Sequence, residues 1–315
     1  MRERSTIRVR AVAAAAIAAI AVTACNTTDA PESGRTGAST TTQPQVPPGV
    51  VAPFPNDDPA PVGEIGDYQL SNTITAIEQY GEPLIDLDLA NGLQVQTYGQ
   101  ASNPSPYYQD QVAVVRDARA CVDAVLERDQ PARPAVIFDV DETALSAFWM
   151  MAQQDLGFDV WLQNSLYLLA ANPAIEPTRE WFNDLFDQNV QPILVTGRSE
   201  TLTVTSPLDG RESELAIGEA TTSNLVDAGF QTGGPHNPDL EGFLLFFQPI
   251  DHSGGVGKFK ADTRAELADD FDLVGNIGDQ FSDLTIGDSP PDPPIECSYK
   301  MPNPFYFIPS GGSPD

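Results

Sequence analysis

The sequence predicts an α/β fold, a doubly wound parallel sheet with helices on both faces, and three observations carry the prediction. Four short apolar, β-prone runs lie beyond residue 130, each is preceded by a stretch of helical spacing, and each is followed by a polar cluster. Strands that alternate with helices imply parallel pairing through right-handed crossovers. With 315 residues, 41% of them hydrophobic, the chain can fill one large core or two modest ones.

The first segment is an address. Arg2, Arg4, Arg8 and Arg10 precede an Ala/Ile/Val run from Ala11 to Val22, which meets Thr23-Ala24-Cys25. Residues 1–24 therefore read as a secretory signal peptide, because the apolar run is about half the ~20 residues a spanning helix needs. The Val-Thr-Ala-Cys ending resembles a bacterial lipobox, which implies export, lipidation of Cys25 and anchorage to the outer face of a membrane. Plain secretion after cleavage at Ala24 is the alternative. Residues 25–62 are rich in Thr, Ser, Pro, Gly and Ala. That composition cannot repay the entropy of ordering, so the segment reads as a disordered tether.

Charge narrows the partners. Forty-five Asp and Glu against 16 Lys and Arg give a net charge of −29, so nucleic acid would have to bind against Coulomb repulsion and is excluded as a partner. The chain has only three lysines, Lys258, Lys260 and Lys300.

A globular domain is expected over 63–287. Val112, Val114, Val115, Ala118, Cys121, Val122 and Val125, close to helical spacing, predict a helix over Tyr107–Arg128, closed by Pro131 and Pro134. Ala135–Phe138 follows as a strand buried on both faces. Helices over Pro177–Gln188, Gly218–Ala228 and Asp262–Asp269 alternate with strands at Pro192–Val195, Phe243–Phe247 and Leu273–Ile277. The segment from 288 to 315 is set apart as a Pro-rich tail. Cys121 and Cys297 could form a disulfide in an oxidising compartment or remain two buried thiols.

In a doubly wound sheet, ligands bind beyond the carboxyl ends of the strands. The residues there are Asp139-Val140-Asp141-Glu142-Thr143, Thr196-Gly197-Arg198, Lys258 with Lys260, and Gly278-Asp279-Gln280-Phe281-Ser282-Asp283. Clustered carboxylates repel one another unless a cation sits among them. With no His or Cys in the set, the natural occupant is the hard, oxygen-seeking Mg²⁺. Metal, lysine, Thr196 hydroxyl and the N–H of Gly197 would together neutralise a phosphate dianion. An Asp beside phosphorus is a nucleophile, and a second Asp two residues on can serve as acid and base. Taken singly, each cluster is more often a helix cap or a turn. Their ordered co-occurrence at successive strand ends overturns that reading.

Asp139-Val140-Asp141-Glu142-Thr143 resembles the DxDxT signature of the haloacid dehalogenase (HAD) superfamily. Leu194-Val195-Thr196-Gly197-Arg198, Thr222-Ser223-Asn224-Leu225 and Gly275-Asn276-Ile277-Gly278-Asp279-Gln280-Phe281-Ser282-Asp283-Leu284 narrow the resemblance. Together they are similar to the class B-like acid phosphatases, a branch that includes plant vegetative storage proteins and bacterial lipoprotein phosphatases. The resemblance implies Asp139 as nucleophile and metal ligand, and Asp141 as general acid and base whose backbone carbonyl also binds Mg²⁺. It implies Asp279 as a further metal ligand, Thr196 and Gly197 as phosphate-binding groups, and Asp283 as the acid supporting the lysine or the metal shell. The register Phe259-Lys260-Ala261-Asp262-Thr263-Arg264 favours Lys260 over Lys258 as the phosphate-binding lysine. A helical cap insert is implied at about 144–176, where the rings of Phe148, Trp149, Phe158, Trp161 and Tyr167 could stack on a nucleobase, Trp149 being the candidate singled out, with packing of the cap on the sheet as the favoured alternative. The expected substrate is a phosphate monoester, a nucleotide among the candidates. The expected rival is a storage or binding lipoprotein that retains the fold.

Overall fold

The computed structural model describes residues 70–154, 159–206, 210–232, 242–285 and 294–306. The leader, Cys25, the tether and Phe158 lie outside them. In chain order the elements are α1 (Leu70–Gly81), β1 (Leu84–Asp88), β2 (Gln94–Tyr98), α2 (Pro106–Asp129), β3 (Pro134–Phe138), α3 (Phe148–Gln153), α4 (Val160–Tyr167) and α5 (Glu176–Asp187). Then come β4 (Gln191–Ser199), α6 (Ile217–Asp227), β5 (Leu244–Gln248), α7 (Gly255–Ala268), β6 (Asp272–Gly278), α8 (Phe281–Leu284) and β7 (Cys297–Lys300).

Five strands form one sheet in the order β5-β4-β3-β6-β7, and every neighbouring pair is parallel. The chain steps outward from β3 through β4 to β5 and then returns to the other side of β3. This reversal creates a switch point between the carboxyl ends of β3 and β6, the crevice where such sheets take their ligands.

Alternation along β3 sends its side chains to two cores. Val136 and Phe138 pack with Val115, Ala118 and Val122 of α2 and with Trp181, Phe182 and Leu185 of α5. Ala135 and Ile137 face Phe259 and Leu267 of α7 on the opposite side. The sheet is thus covered on both faces, which is why its strands read as continuous apolar runs. Helix α2 starts where the side chain of Ser105 accepts from the Tyr108 amide with Pro106 just inside, and it ends at Gln130 in the left-handed region.

Three features depart from the sequence reading. Helix α7 begins at Gly255, not Asp262, because the low helix propensity of the Gly254-Gly255 start hides its first turns. Lys258 and Lys260 therefore ride on a helix instead of following a strand, and residues two apart on a helix face different ways. Lys258 points outward and pairs with Asp262, while Lys260 is buried.

The segment separated as a Pro-rich tail supplies β7, which pairs with β6 through Gly275–Gly278. Cys297 of β7 is joined to Cys121 of α2 by a disulfide. An antiparallel hairpin, β1 with β2, also precedes the expected first helix. Its alternate residues, together with the insert bearing α3 and α4, form a separate apolar cluster around Val95, Trp149, Met150, Leu166 and Tyr167. Trp149 is 9% exposed and belongs to that cluster, so it packs the insert instead of offering a stacking face. Trp161, by contrast, is 73% exposed.

Candidate active site

Asp139 is the first residue beyond β3, and its amide donates to the Ile277 carbonyl of β6 over 2.9 Å, tying together the tips of the two central strands. Lys260 reaches the same point from α7. Its Nζ donates to Asp139 Oδ1 at 2.6 Å and to Asp283 Oδ1 at 2.5 Å, with all three side chains buried. The other oxygen of Asp283 accepts from the Gln280 amide at 2.8 Å. Gly278 makes room for this arrangement, since a Cβ there would collide with the Asp283 side chain. One turn beyond Lys260, Arg264 donates to the carbonyls of Asp283 and Thr285 and holds α8 against α7. Lys260, and not Lys258, is thus the lysine that reaches Asp139.

Asp279, the second residue of the Gly278-Asp279 step out of β6, completes an acidic cluster. One carboxylate oxygen from each of Asp139, Asp279 and Asp283 lies within 4.8 Å of the others. Gln280 Nε2 and Asn303 Nδ2 both donate to Asp279 Oδ2, each at 2.6 Å. Asp279 Oδ1 is buried and meets no donor among the described residues.

The electrostatics follow from this crowding. Burial, reinforced by Asp283, pushes the Asp279 carboxyl up to about 6. Burial also drives Asp139 well above the usual carboxylate range, with Asp283, Asp279 and Asp141 adding to it and Lys260 opposing it. Lys260 is pulled the other way: burial would lower it, but Asp139 and Asp283 outweigh that and hold the ammonium charged. A folded carboxyl with a raised pKa binds more protons than the unfolded chain between about pH 4 and pH 6, so its contribution to stability falls as pH rises through that window. Thermal unfolding in chelator is therefore expected to show a melting temperature that drops from pH 4 to pH 6 relative to the same series with Mg²⁺. Parallel curves would contradict this.

Asp141 stands apart from the acidic cluster. Arg198 of β4 grips it as a fork, Nη2 donating to Oδ1 at 2.7 Å and Nε to Oδ2 at 3.1 Å. The Tyr167 hydroxyl from the insert donates to the same Oδ1 at 3.1 Å. Arg198 is itself fixed, stacked 3.7 Å from the Tyr167 ring centroid and donating to Thr221 Oγ1 of α6. A bidentate guanidinium restricts carboxylate rotation more than a single contact does. Asp141 is thus a positioned carboxyl with one edge in partial contact with solvent, its side chain 15% exposed.

Thr196 is fully buried beside it, and its Oγ1 accepts from the Arg198 amide at 3.1 Å. Gly197 approaches α7 so closely that a Cβ would lie 2.9 Å from Val256 Cγ1. Next to Asp141, Glu142 adopts φ +49° and turns inward to the Tyr107 hydroxyl and the Ala147 amide. Burial lifts its carboxyl to about 8 despite those two donors.

Of the residues expected at the site, Asp139, Lys260, Asp279 and Asp283 form one cluster, Asp141 and Thr196 are linked through Arg198, and Gly197 packs against Val256 of α7. Against known families, residues 92–309 match the model of HAD superfamily, subfamily IIIB (Acid phosphatase). The chain belongs to this family. It is 28% identical over 212 residues to acid phosphatase 1 of Solanum lycopersicum, covering 64% of this chain and 70% of that protein. Vegetative storage protein 1 of Arabidopsis thaliana is 26% identical over 183 residues, 55% of each chain. The class C acid phosphatase of Bacillus anthracis aligns with a TM-score of 0.47 at 18% identity, over 64% of this chain and 79% of that one.

Within this acid phosphatase, four contributors escaped the sequence reading. Arg198 stands in the Thr196-Gly197-Arg198 motif, where spacing does not mark it as a clamp on a carboxylate, and Tyr167 is one of several aromatics in the insert. Gln280 lies inside the 278–283 motif with nothing in the sequence to set it apart. Asn303 stands among prolines with no pattern to mark it.

Proposed function

We propose that this acid phosphatase is an exported, lipid-anchored enzyme that hydrolyses phosphate monoesters through an aspartyl-phosphate on Asp139, with Mg²⁺. The observation that carries the proposal is the buried Asp139–Lys260–Asp283 chain beside Asp279. Three carboxylates with no His or Cys among them suit a hard cation, and the unpartnered Asp279 Oδ1 is a ready ligand. Asp139, Asp279 and the backbone carbonyl of Asp141 would hold the ion. When bound it would supply positive charge against the phosphate dianion.

The remaining chemistry belongs to the chain. Lys260 occupies Asp139 Oδ1, so Oδ2 is the oxygen that forms a bond to phosphorus as the ester P–O bond breaks. Lys260, the Thr196 hydroxyl and the Gly197 N–H neutralise and orient the phosphoryl oxygens. Asp141 gives its proton to the departing alcohol, then takes one from the water that cleaves the aspartyl-phosphate and releases inorganic phosphate. Arg198 and Tyr167 hold Asp141 in place for both transfers. The substrate class is a small phosphate monoester, with nucleotides one candidate.

Export rests on the leader and the lipobox-like Cys25, and the Cys121–Cys297 disulfide supports it because such bonds persist in oxidising compartments. A storage role, as the name of the Arabidopsis relative suggests for that protein, needs neither a nucleophile nor a buried lysine, and both are intact here. The test is hydrolysis of a chromogenic phosphate monoester by the metal-stripped protein with and without added Mg²⁺. Turnover that needs Mg²⁺ is expected; equal rates in chelator would remove the metal from the proposal, and none under any condition would favour storage. Acyl labelling of the full chain, lost in Cys25→Ser, is expected for the anchor; labelling that persists in the variant would refute it.

A further inference from the structure

Residues 301–306, just past β7, are stitched to the site and its surroundings at every position but Pro304. The Met301 amide donates to the Gly278 carbonyl at 2.8 Å, and the Tyr107 hydroxyl lies 3.3 Å from the Pro302 carbonyl. Phe305 packs edge-on against Tyr107 and Phe148, with ring centroids 5.9 and 5.5 Å away. Gln280 Nε2 donates to the Tyr306 carbonyl at 3.3 Å. At the centre of this strap stands Asn303, only 6% exposed.

The orientation of the Asn303 carboxamide is fixed by its own turn. Its Oδ1 accepts from the Phe305 amide at 2.8 Å and from the Tyr306 amide at 3.4 Å. A flipped carboxamide would aim its NH₂ at those two N–H groups, so Nδ2 must face outward from the turn, where it meets Asp279 Oδ2 at 2.6 Å. Gln280 Nε2 brings a second donor to the same oxygen. With Oδ2 doubly engaged, the carboxylate cannot rotate without losing both bonds, and Oδ1 stays buried and unpartnered.

We infer that Asn303 is a positioning residue that selects Oδ1 of Asp279 as the metal-binding oxygen, so that the C-terminal strap sets the affinity of the site for its divalent ion. The inference rests on the proposed Mg²⁺ site. Groups that hydrogen-bond a ligating carboxylate commonly change metal affinity by roughly 10- to 100-fold when removed.

The experiment is calorimetric titration of the metal-stripped full chain with MgCl₂, for the wild type, Asn303→Ala and Asn303→Asp. Asn303→Asp keeps an acceptor for the Phe305 and Tyr306 amides and so preserves the turn, but removes the donor to Asp279. Both variants are expected to bind Mg²⁺ about tenfold or more weakly, and Asn303→Ala is expected to regain its phosphatase kcat when Mg²⁺ is raised to saturation. A merely structural role would instead spare Asn303→Asp and leave activity in Asn303→Ala low at any Mg²⁺ concentration. Equal or tighter binding by either folded variant overturns the inference while leaving the metal site standing. Absence of binding by the wild type overturns both.

Discussion

Asp139→Asn is expected to lower kcat for a phosphate monoester by on the order of 10⁴-fold or more, the scale seen when a covalent nucleophile is removed, without unfolding the protein. The side chain is isosteric and lies between Lys260 and Asp279 in a crowded acidic cluster. Removing one negative charge there relieves repulsion from Asp279, Asp283 and Asp141, which already oppose ionisation of this group, while Lys260 keeps Asp283 as its counter-ion at 2.5 Å. The variant should therefore melt within a few degrees of the wild type. Steady-state kinetics and a thermal melt on the same preparation check both halves. Retained turnover would move the nucleophile elsewhere.

Lys260→Met behaves differently because it removes the cation from the centre of the cluster. Asp139 and Asp283 each lose a buried partner at 2.6 and 2.5 Å, and breaking one side of a buried ion pair typically costs about 3–5 kcal/mol. The expected outcome is loss of phosphatase activity together with a clear drop in melting temperature at neutral pH. The pH dependence has a definite sign. Without the ammonium the already raised Asp139 carboxyl rises further and favours protonation in the folded state, so the stability deficit should shrink as pH falls toward 4. Lys260 itself adds no slope in this range: its folded pKa is raised, so its contribution is complete below the unfolded value of 10.5 and disappears only at higher pH. Denaturant titrations at pH 4.5 and pH 7.5 measure the difference. A deficit that does not change with pH would mean that packing of the lysine stem, not its charge, holds the cluster together.

Much of this was legible in the sequence for a physical reason. A strand covered on both faces, such as Pro134–Phe138, must be apolar at every position, and the polar residue that ends the run is the one facing the crevice. Asp139, Thr196 and Asp279 could be read that way. Lys260 could not, because it reaches the site from the second turn of a helix whose glycine-rich start does not look helical. The hairpin strands β1 and β2 are short and half exposed, so they carry too little hydrophobic contrast to stand out. Cys297–Lys300 is only four residues long and has the composition of a loop, yet its backbone completes the sheet. The fork on Asp141 depends on three side chains from the loop after β3, the insert and β4 meeting in space, and neither composition nor spacing records such a meeting.

The position of β7 in the chain has a consequence for how the molecule is made and handled. The Asp139 loop precedes β7 by a long stretch of chain, so the emerging polypeptide lacks an edge of the sheet, a partner for Cys121 and a donor to Asp279 until residues 297–303 have left the ribosome. A truncation ending after Leu284 would keep every signature motif and still discard all three. Fusion partners belong ahead of α1 in the chain, not directly after the segment that carries β7 and Asn303.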